Sequence, residues 1–232
     1  MNLYICGDSF CVPDPTYGQG WFDYFQQRHP NINITNLAIS GASNYHIYLQ
    51  VKCALEQGCD YLIYHATSSI RDEFRLIPDD ESEDSLARYA IPDEDSKAPM
   101  VCGSWINLHR HFQSVLSKKQ LKIKDEFFTQ FVDLPNLIEK NFIFILHTLK
   151  LLEDSDIKWS WTQGGFEHKS FSSKEYFNFL PFRSKECHFN LWDYGDTSVL
   201  RPLFHVVDEE VNLAVSDSYS KLLNLGGHVE KI

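Results

Sequence analysis

Within its first 66 residues the chain alternates short apolar runs with amphipathic stretches, and few architectures accept that order. Residues 2–6 form an apolar run that stops at Gly7, which predicts a buried strand entering a tight turn. Trp21, Phe22, Tyr24 and Phe25 follow at near-helical spacing, predicting a first helix over that strand. A second strand is predicted over 32–37, ending in the small-residue loop Ser40-Gly41-Ala42-Ser43. Ile47, Tyr48, Val51, Ala54 and Leu55 then repeat at three and four, the period of a helix over 44–56 that Gly58 closes. Residues 60–66 (DYLIYHA) are almost continuously apolar or aromatic, as in a parallel strand covered on both faces. Strand, helix, strand, helix, strand predicts a three-layer α/β/α sandwich around a doubly wound, mainly parallel sheet.

Beyond residue 66 the pattern is interrupted. The stretch 79–97 holds eight carboxylates against two basic side chains and reads as a solvated surface insertion. A helix is predicted near 105–116 and a stronger one over 133–153. In the latter Asp133 serves as N-cap, Pro135 sits in the first turn, and Leu134, Leu137, Ile138, Phe142, Ile145, Leu146, Leu149 and Leu152 line one face. Residues 156–162 alternate like a strand, with Ile157, Trp159 and Trp161 on one side. Residues 164–190 carry many aromatics without a period and read as loop with short helices. A last helix is predicted over 209–223, capped by Asp208 and ended by Gly226-Gly227. No internal repeat or low-complexity linker divides the chain, so one domain spanning 1–232 is expected, with insertions at about 77–130 and 163–190.

Composition narrows the function classes. Twenty-one Lys and Arg against 32 Asp and Glu give a formal charge of −11, which repels phosphate backbones, and no basic patch reverses it, so no nucleic-acid partner is expected. The longest apolar-leaning run, 141–152, is broken by His147 and Lys150 and falls far short of the roughly 20 residues of a membrane span. The N-terminus MNLYICGDSF has no basic start and no cleavage-site pattern, which makes residence in a cytoplasm the expectation. Six scattered cysteines form neither CxxC nor zinc-ribbon spacing, and buried free thiols are expected. His109-Arg110-His111 and Cys187-His188 lack metal-ligand spacing, and no GxGxxG or P-loop motif occurs, so no metal and no cofactor are expected. Trp105, Trp159, Trp161 and Trp192 have the faces that stack on sugar rings, although core packing accounts for such residues as well.

In a doubly wound sheet, the loops leaving the carboxyl ends of the strands converge on one rim, where ligands bind. Here those loops are Gly7-Asp8-Ser9-Phe10, Ser40-Gly41-Ala42-Ser43-Asn44 and Thr67-Ser68-Ser69. A serine held at a strand-to-helix turn, with backbone N–H groups aimed at the same space, is what acyl transfer needs. By itself Ser9 also reads as a turn serine capping the next segment.

ICGDSF at the start, NLAISGASNYHI some thirty positions on and a histidine before the last helix resemble the SGNH or GDSL-type hydrolases. The likeness is strongest to variants from bacteriophage genomes, in which a third strand ends in a Thr/Ser-rich stretch before an arginine and acidic residues, here Arg71, Asp72 and Glu73. It covers residues 1–75 well and the final thirty loosely. The resemblance implies a flavodoxin-like SGNH fold, with Ser9 as nucleophile and His205 as general base. The N–H groups of Ser9 and Gly41 would form the oxyanion hole, helped by Thr67 and Ser68. Two positions depart from the family pattern. The third loop offers Thr67 and Ser68 where the family has an Asn donor, and Pro202 stands where the family places the Asp that orients the histidine. Asp208, Asp196, Asp193 or a backbone carbonyl would then hold the imidazole, and spacing does not choose among them. His65, on the third strand near the same rim, competes for the base role but reads better as a packed, hydrogen-bonded imidazole. The implied activity is cleavage of a small ester, such as an acylated carbohydrate, through an acyl-serine intermediate. The alternative is a catalytically reduced fold that binds a virion or other partner, in a host cytoplasm or a virion.

Overall fold

β1 (Asn2–Cys6) is one of the two inner strands of a four-stranded parallel sheet, and its last four residues are all buried. The computed structural model describes residues 1–12, 20–39, 42–69, 71–75, 100–104, 118–119, 122–123, 126, 130, 133–162, 181–182, 184–186, 200–201, 205–206 and 209–225; at 72–75, 100–104, 134, 200–201, 205–206 and 209–211 only the backbone is described. The expected helix at 105–116, the acidic stretch 79–97 and the pair Gly226-Gly227 lie outside these residues.

The sheet order is β2 (Asn33–Asn36), β1, β3 (Tyr61–His65), β6 (Lys158–Thr162). Leu3 pairs with Ile34 on one side and Tyr61 on the other, and Ile63 pairs with Ser160. The chain therefore leaves β1 to one side for β2, crosses back for β3 and continues outward to β6. That reversal is the topological switch point, and it opens a crevice at the carboxyl ends of β1 and β3.

Helices cover both faces. On one face Leu3, Ile5 and Ile63 meet Trp21, Phe22 and Phe25 of α1 (Trp21–Arg28), together with Val215 and Tyr219 of α4 (Glu209–Leu222). On the other, Tyr4, Cys6, Leu62, Tyr64, Trp159 and Trp161 meet Ile47, Val51 and Ala54 of α2 (Asn44–Glu56). Phe142, Ile145, Leu149 and Leu152 of α3 (Leu134–Glu153) join that second layer. Each large side chain removed from water here contributes about 1.5–3 kcal/mol. The expected α/β/α architecture is the observed one.

The helix ends follow local chemistry. α2 starts at Ser43, whose hydroxyl accepts the His46 N–H at 3.3 Å. It stops where Gly58 takes φ +76, with Gly58 N–H bonded to Leu55 O and Cys59 N–H to Ala54 O, the two bonds of a Schellman cap. Asp133 holds the N-cap position of α3, but its side chain makes no capping bond. α4 ends at Leu222, and its C-terminal turn carries Asn224 in the left-handed conformation at φ 53, two residues before the expected glycine pair. Asparagine tolerates that conformation because its short polar side chain bonds locally.

Two small ladders accompany the main sheet. β4 (Arg71–Arg75) pairs antiparallel with β5 (Met100–Ser104), a hairpin that hydrophobic alternation does not announce, and β4 lies against α2 and α3. β7 (Leu200–Arg201) pairs antiparallel with β8 (His205–Val206). Within 163–190, Glu186 bridges in parallel to Trp161, one residue of strand pairing where a loop with short helices is expected. No described helix is long and apolar enough to cross a membrane.

Candidate active site

At the end of β1 the chain turns through Gly7 and Asp8 into a single 3-10 turn, Ser9–Cys11. The turn begins there because Asp8 is extended and its Oδ1 accepts the Phe10 N–H at 3.2 Å, satisfying one of the donors a helix start leaves open. Gly7 is required by space: a Cβ there would stand 2.8 Å from both Cys11 Sγ and His65 Cβ. The backbone of Gly7 is gripped on both sides by one side chain, since its N–H donates to Gln50 Oε1 at 2.8 Å and its carbonyl accepts from Gln50 Nε2 at 3.2 Å. Downstream, Asn36 Nδ2 donates to Cys11 O at 2.6 Å and Trp21 Nε1 to Phe10 O at 3.1 Å. Ser9 thus sits in a turn fixed from β2, α1 and α2. It is buried, and among the described residues neither its N–H nor its hydroxyl has a hydrogen-bond partner.

Beneath Ser9 lies a buried polar network. Asp8 is fully buried, and its Oδ2 accepts from Thr67 Oγ1 at 2.5 Å and from Arg71 Nη1 at 2.6 Å. The same Arg71 nitrogen donates to Ala42 O at 3.2 Å. Asn44, the first residue of α2, clamps the third loop, with Oδ1 accepting the Thr67 N–H at 2.9 Å and Nδ2 donating to Thr67 O at 3.1 Å. Nδ2 also donates to Asn141 Oδ1 at 3.0 Å, and Asn141 Nδ2 donates in turn to Arg71 O at 2.8 Å. Three loops and α3 are joined in one connected set of hydrogen bonds.

Two histidines border this region. His65 is fully buried and stacks with Phe10 (centroids 6.5 Å) and with Trp21 (6.3 Å). Among the described residues neither ring nitrogen has a partner, which corrects the expectation of a hydrogen-bonded imidazole. Burial pushes its pKa down to about 4, partly opposed by the Asp8 charge, so the ring is neutral near pH 7. His46 on α2 is likewise buried and lowered to about 4 by desolvation. The Cys11 thiol is pushed up by burial and then by Asp8, which leaves it protonated and a poor nucleophile.

The remaining expected residues fall as follows. His205 lies in β8, and the Cα atoms of β8 come within 8 Å of those of the Ser9–Cys11 turn. Thr67 is at the rim, but its hydroxyl donates to Asp8 and its N–H to Asn44, so both of its donors are committed and neither points to a bound oxyanion. Ser68 is half-buried, its carbonyl accepting the Arg71 N–H at 3.3 Å. Gly41 and Asp208 lie outside the described residues, although the Ala42 carbonyl next to Gly41 is fixed by Arg71. Among the described residues no three His, Cys, Asp or Glu side chains stand close enough to hold a metal ion.

Comparison with solved structures finds full-length likenesses, two of which follow. One is the psychrotrophic esterase EstA from Pseudoalteromonas sp., in a structure inhibited by monoethylphosphonate, with a TM-score of 0.51 at 11% identity over 97% of each chain. The other is TesA, with a TM-score of 0.51 at 10% identity over 97% of this chain and 99% of that one. The chain has the α/β fold of these two proteins. No protein-family model and no curated protein matches the sequence. With identities this low, the likeness extends to the backbone path and not to individual side chains.

Arg71, Asn44, Asn141 and Gln50 are the site residues that sequence reasoning left without a role. Arg71 and Asn44 fall inside the motifs quoted for the family resemblance. Asn141 is signalled only as a polar residue among the apolar positions of α3, and Gln50 stands at i+3 from Ile47 on the buried side of α2.

Proposed function

We propose that the protein is a serine esterase of the SGNH type, in the variant that bacteriophage sequences share. The observation that supports this reading is the approach of the β8 backbone, which includes His205, to the Ser9–Cys11 turn, with Cα atoms within 8 Å. This approach of two segments some 196 positions apart is what a pairing of Ser9 with His205 would require.

Ser9 Oγ would attack the ester carbonyl carbon while His205 accepts its proton. The carbonyl electron pair moves to oxygen, where the Ser9 and Gly41 N–H groups donate to it. Collapse of this intermediate breaks the bond to the alcohol oxygen, which takes the proton from His205 and leaves acyl-Ser9. Water, deprotonated by the same imidazole, repeats the sequence and releases the acid. With both of its donors committed, Thr67 would add nothing to the oxyanion hole. A missing ideal donor costs on the order of 3 kcal/mol of transition-state stabilisation. A small acyl ester, including an O-acyl group on a carbohydrate, suits this arrangement.

Turnover of a short-chain p-nitrophenyl ester tests the proposal. Ser9→Ala is expected to abolish hydrolysis and fluorophosphonate labelling while the thermal melt stays in place. Equal rates in both proteins would discard it. The committed Thr67 donors favour one second reading, a catalytically silent binding protein, for which the parent chain takes no label.

A further inference from the structure

We propose that Arg71 is a positioning residue for the Ser9 turn, setting the first and second loops in register through one guanidinium nitrogen; the inference rests on Ser9 as nucleophile. Asp8 divides its two oxygens between separate tasks. Oδ1 caps the 3-10 turn through the Phe10 N–H, and Oδ2 takes Thr67 Oγ1 and Arg71 Nη1. Whatever moves Oδ2 therefore moves the cap of the turn that carries Ser9. Arg71 Nη1 also holds Ala42 O, so one nitrogen spans from the nucleophile turn to the peptide that follows Gly41.

The arginine is itself anchored. Its carbonyl accepts from Asn141 Nδ2 on α3, and its N–H donates to Ser68 O. The guanidinium is thus aimed from a third element rather than drawn wherever Asp8 goes. Stability alone does not explain such a pair. Arg71 and Asp8 are both nearly or wholly buried, and a buried ion pair recovers little more than its desolvation cost, so a matched apolar pair would serve the fold as well. Arg71 also balances the Asp8 charge immediately beneath a hydroxyl that must share negative charge with its substrate, where a bare carboxylate would oppose the transition state.

Three variants test the assignment: Arg71→Met, Arg71→Lys, and the double variant Asp8→Asn/Arg71→Met, which removes both charges and keeps an asparagine cap. The measurements are the rate of fluorophosphonate labelling at Ser9, kcat and KM for a p-nitrophenyl ester, and the thermal melt. Arg71→Met is expected to label about 100-fold more slowly and to lose kcat with KM near the parent value, the scale of a small misplacement of reacting groups. Arg71→Lys is expected to recover part of the rate. The double variant is expected to regain the parent melt but not the parent rate, which separates positioning from charge balance in the fold. A folded Arg71→Met or double variant that labels at the parent rate overturns the role of Arg71 and leaves Ser9 standing. A parent chain that takes no label, or a Ser9→Ala protein that labels equally, overturns the nucleophile and this inference with it. If Arg71→Met does not fold, the double variant and Arg71→Lys decide the question by the same criteria.

Discussion

Gly7 shows how one missing side chain sets the spacing of the rim. The end of β1 passes so near β3 that an added methyl would stand 2.8 Å from His65 Cβ, a rigid atom on a strand, as well as from Cys11 Sγ. Neither neighbour has an easy way out, because His65 and Cys11 are both fully buried. Gly7→Ala is therefore expected to destabilise the protein by about 1–3 kcal/mol, the usual cost of overpacking a closed site. A urea unfolding midpoint identical to that of the parent would show that the two strands separate more readily than this packing implies. The same substitution pushes on the Ser9 turn two residues later, so ester turnover is expected to fall further than the loss of folded protein accounts for.

At the scale of elements, the C-terminus of α2 isolates a conformational effect from a steric one. Gly58 adopts φ +76, yet a Cβ at that position would meet nothing within 4 Å. Gly58→Ala is expected to cost about 1 kcal/mol through backbone conformation alone, and Gly58→Asn less, since asparagine accepts the left-handed region. Equal denaturation midpoints for glycine, asparagine and alanine would contradict this account. The elements that sequence made legible are those with an apolar period: β1, α2, β3, the long α3 and β6 all fall at or within a residue or two of their expected limits. The β4–β5 ladder was not legible, because neither RDEFR nor MVCGS carries an apolar alternation that marks a strand. The site divides along the same line. Ser9 and Thr67 follow apolar strands and are found by counting. The grips of Gln50 on Gly7, Asn141 on Arg71 and Arg71 on Asp8 join residues 43, 70 and 63 positions apart, and no local pattern marks them.

For the molecule as a whole, acid opposes two tendencies. A chain of formal charge −11 loses self-repulsion as it is acidified, which by itself favours the compact state. The buried imidazoles act the other way. His46 and His65 titrate near pH 4 in the fold against about 6.5 when unfolded, because burial penalises their charged forms. Their contribution is complete above pH 6.5, where both states are neutral, and is lost as pH falls from 6.5 to 4, where the unfolded chain binds protons that the fold refuses. Each histidine accounts for about 3 kcal/mol across that window. Between about pH 6 and 5 the unfolded state holds about 1.7 more protons from this pair, a slope of about 2.3 kcal/mol per pH unit. Repulsion among surface carboxylates is spread over exposed groups and screened by salt, whereas the imidazoles are fully buried, so the histidine effect dominates at physiological ionic strength. Stability measured by urea unfolding is thus expected to fall from pH 7 to pH 5. In a His46→Leu/His65→Leu variant the fall should become much shallower, the remainder coming from His29, whose pKa is also lowered by burial and by Arg28. An equally steep fall in that variant would place the acid sensitivity in other groups.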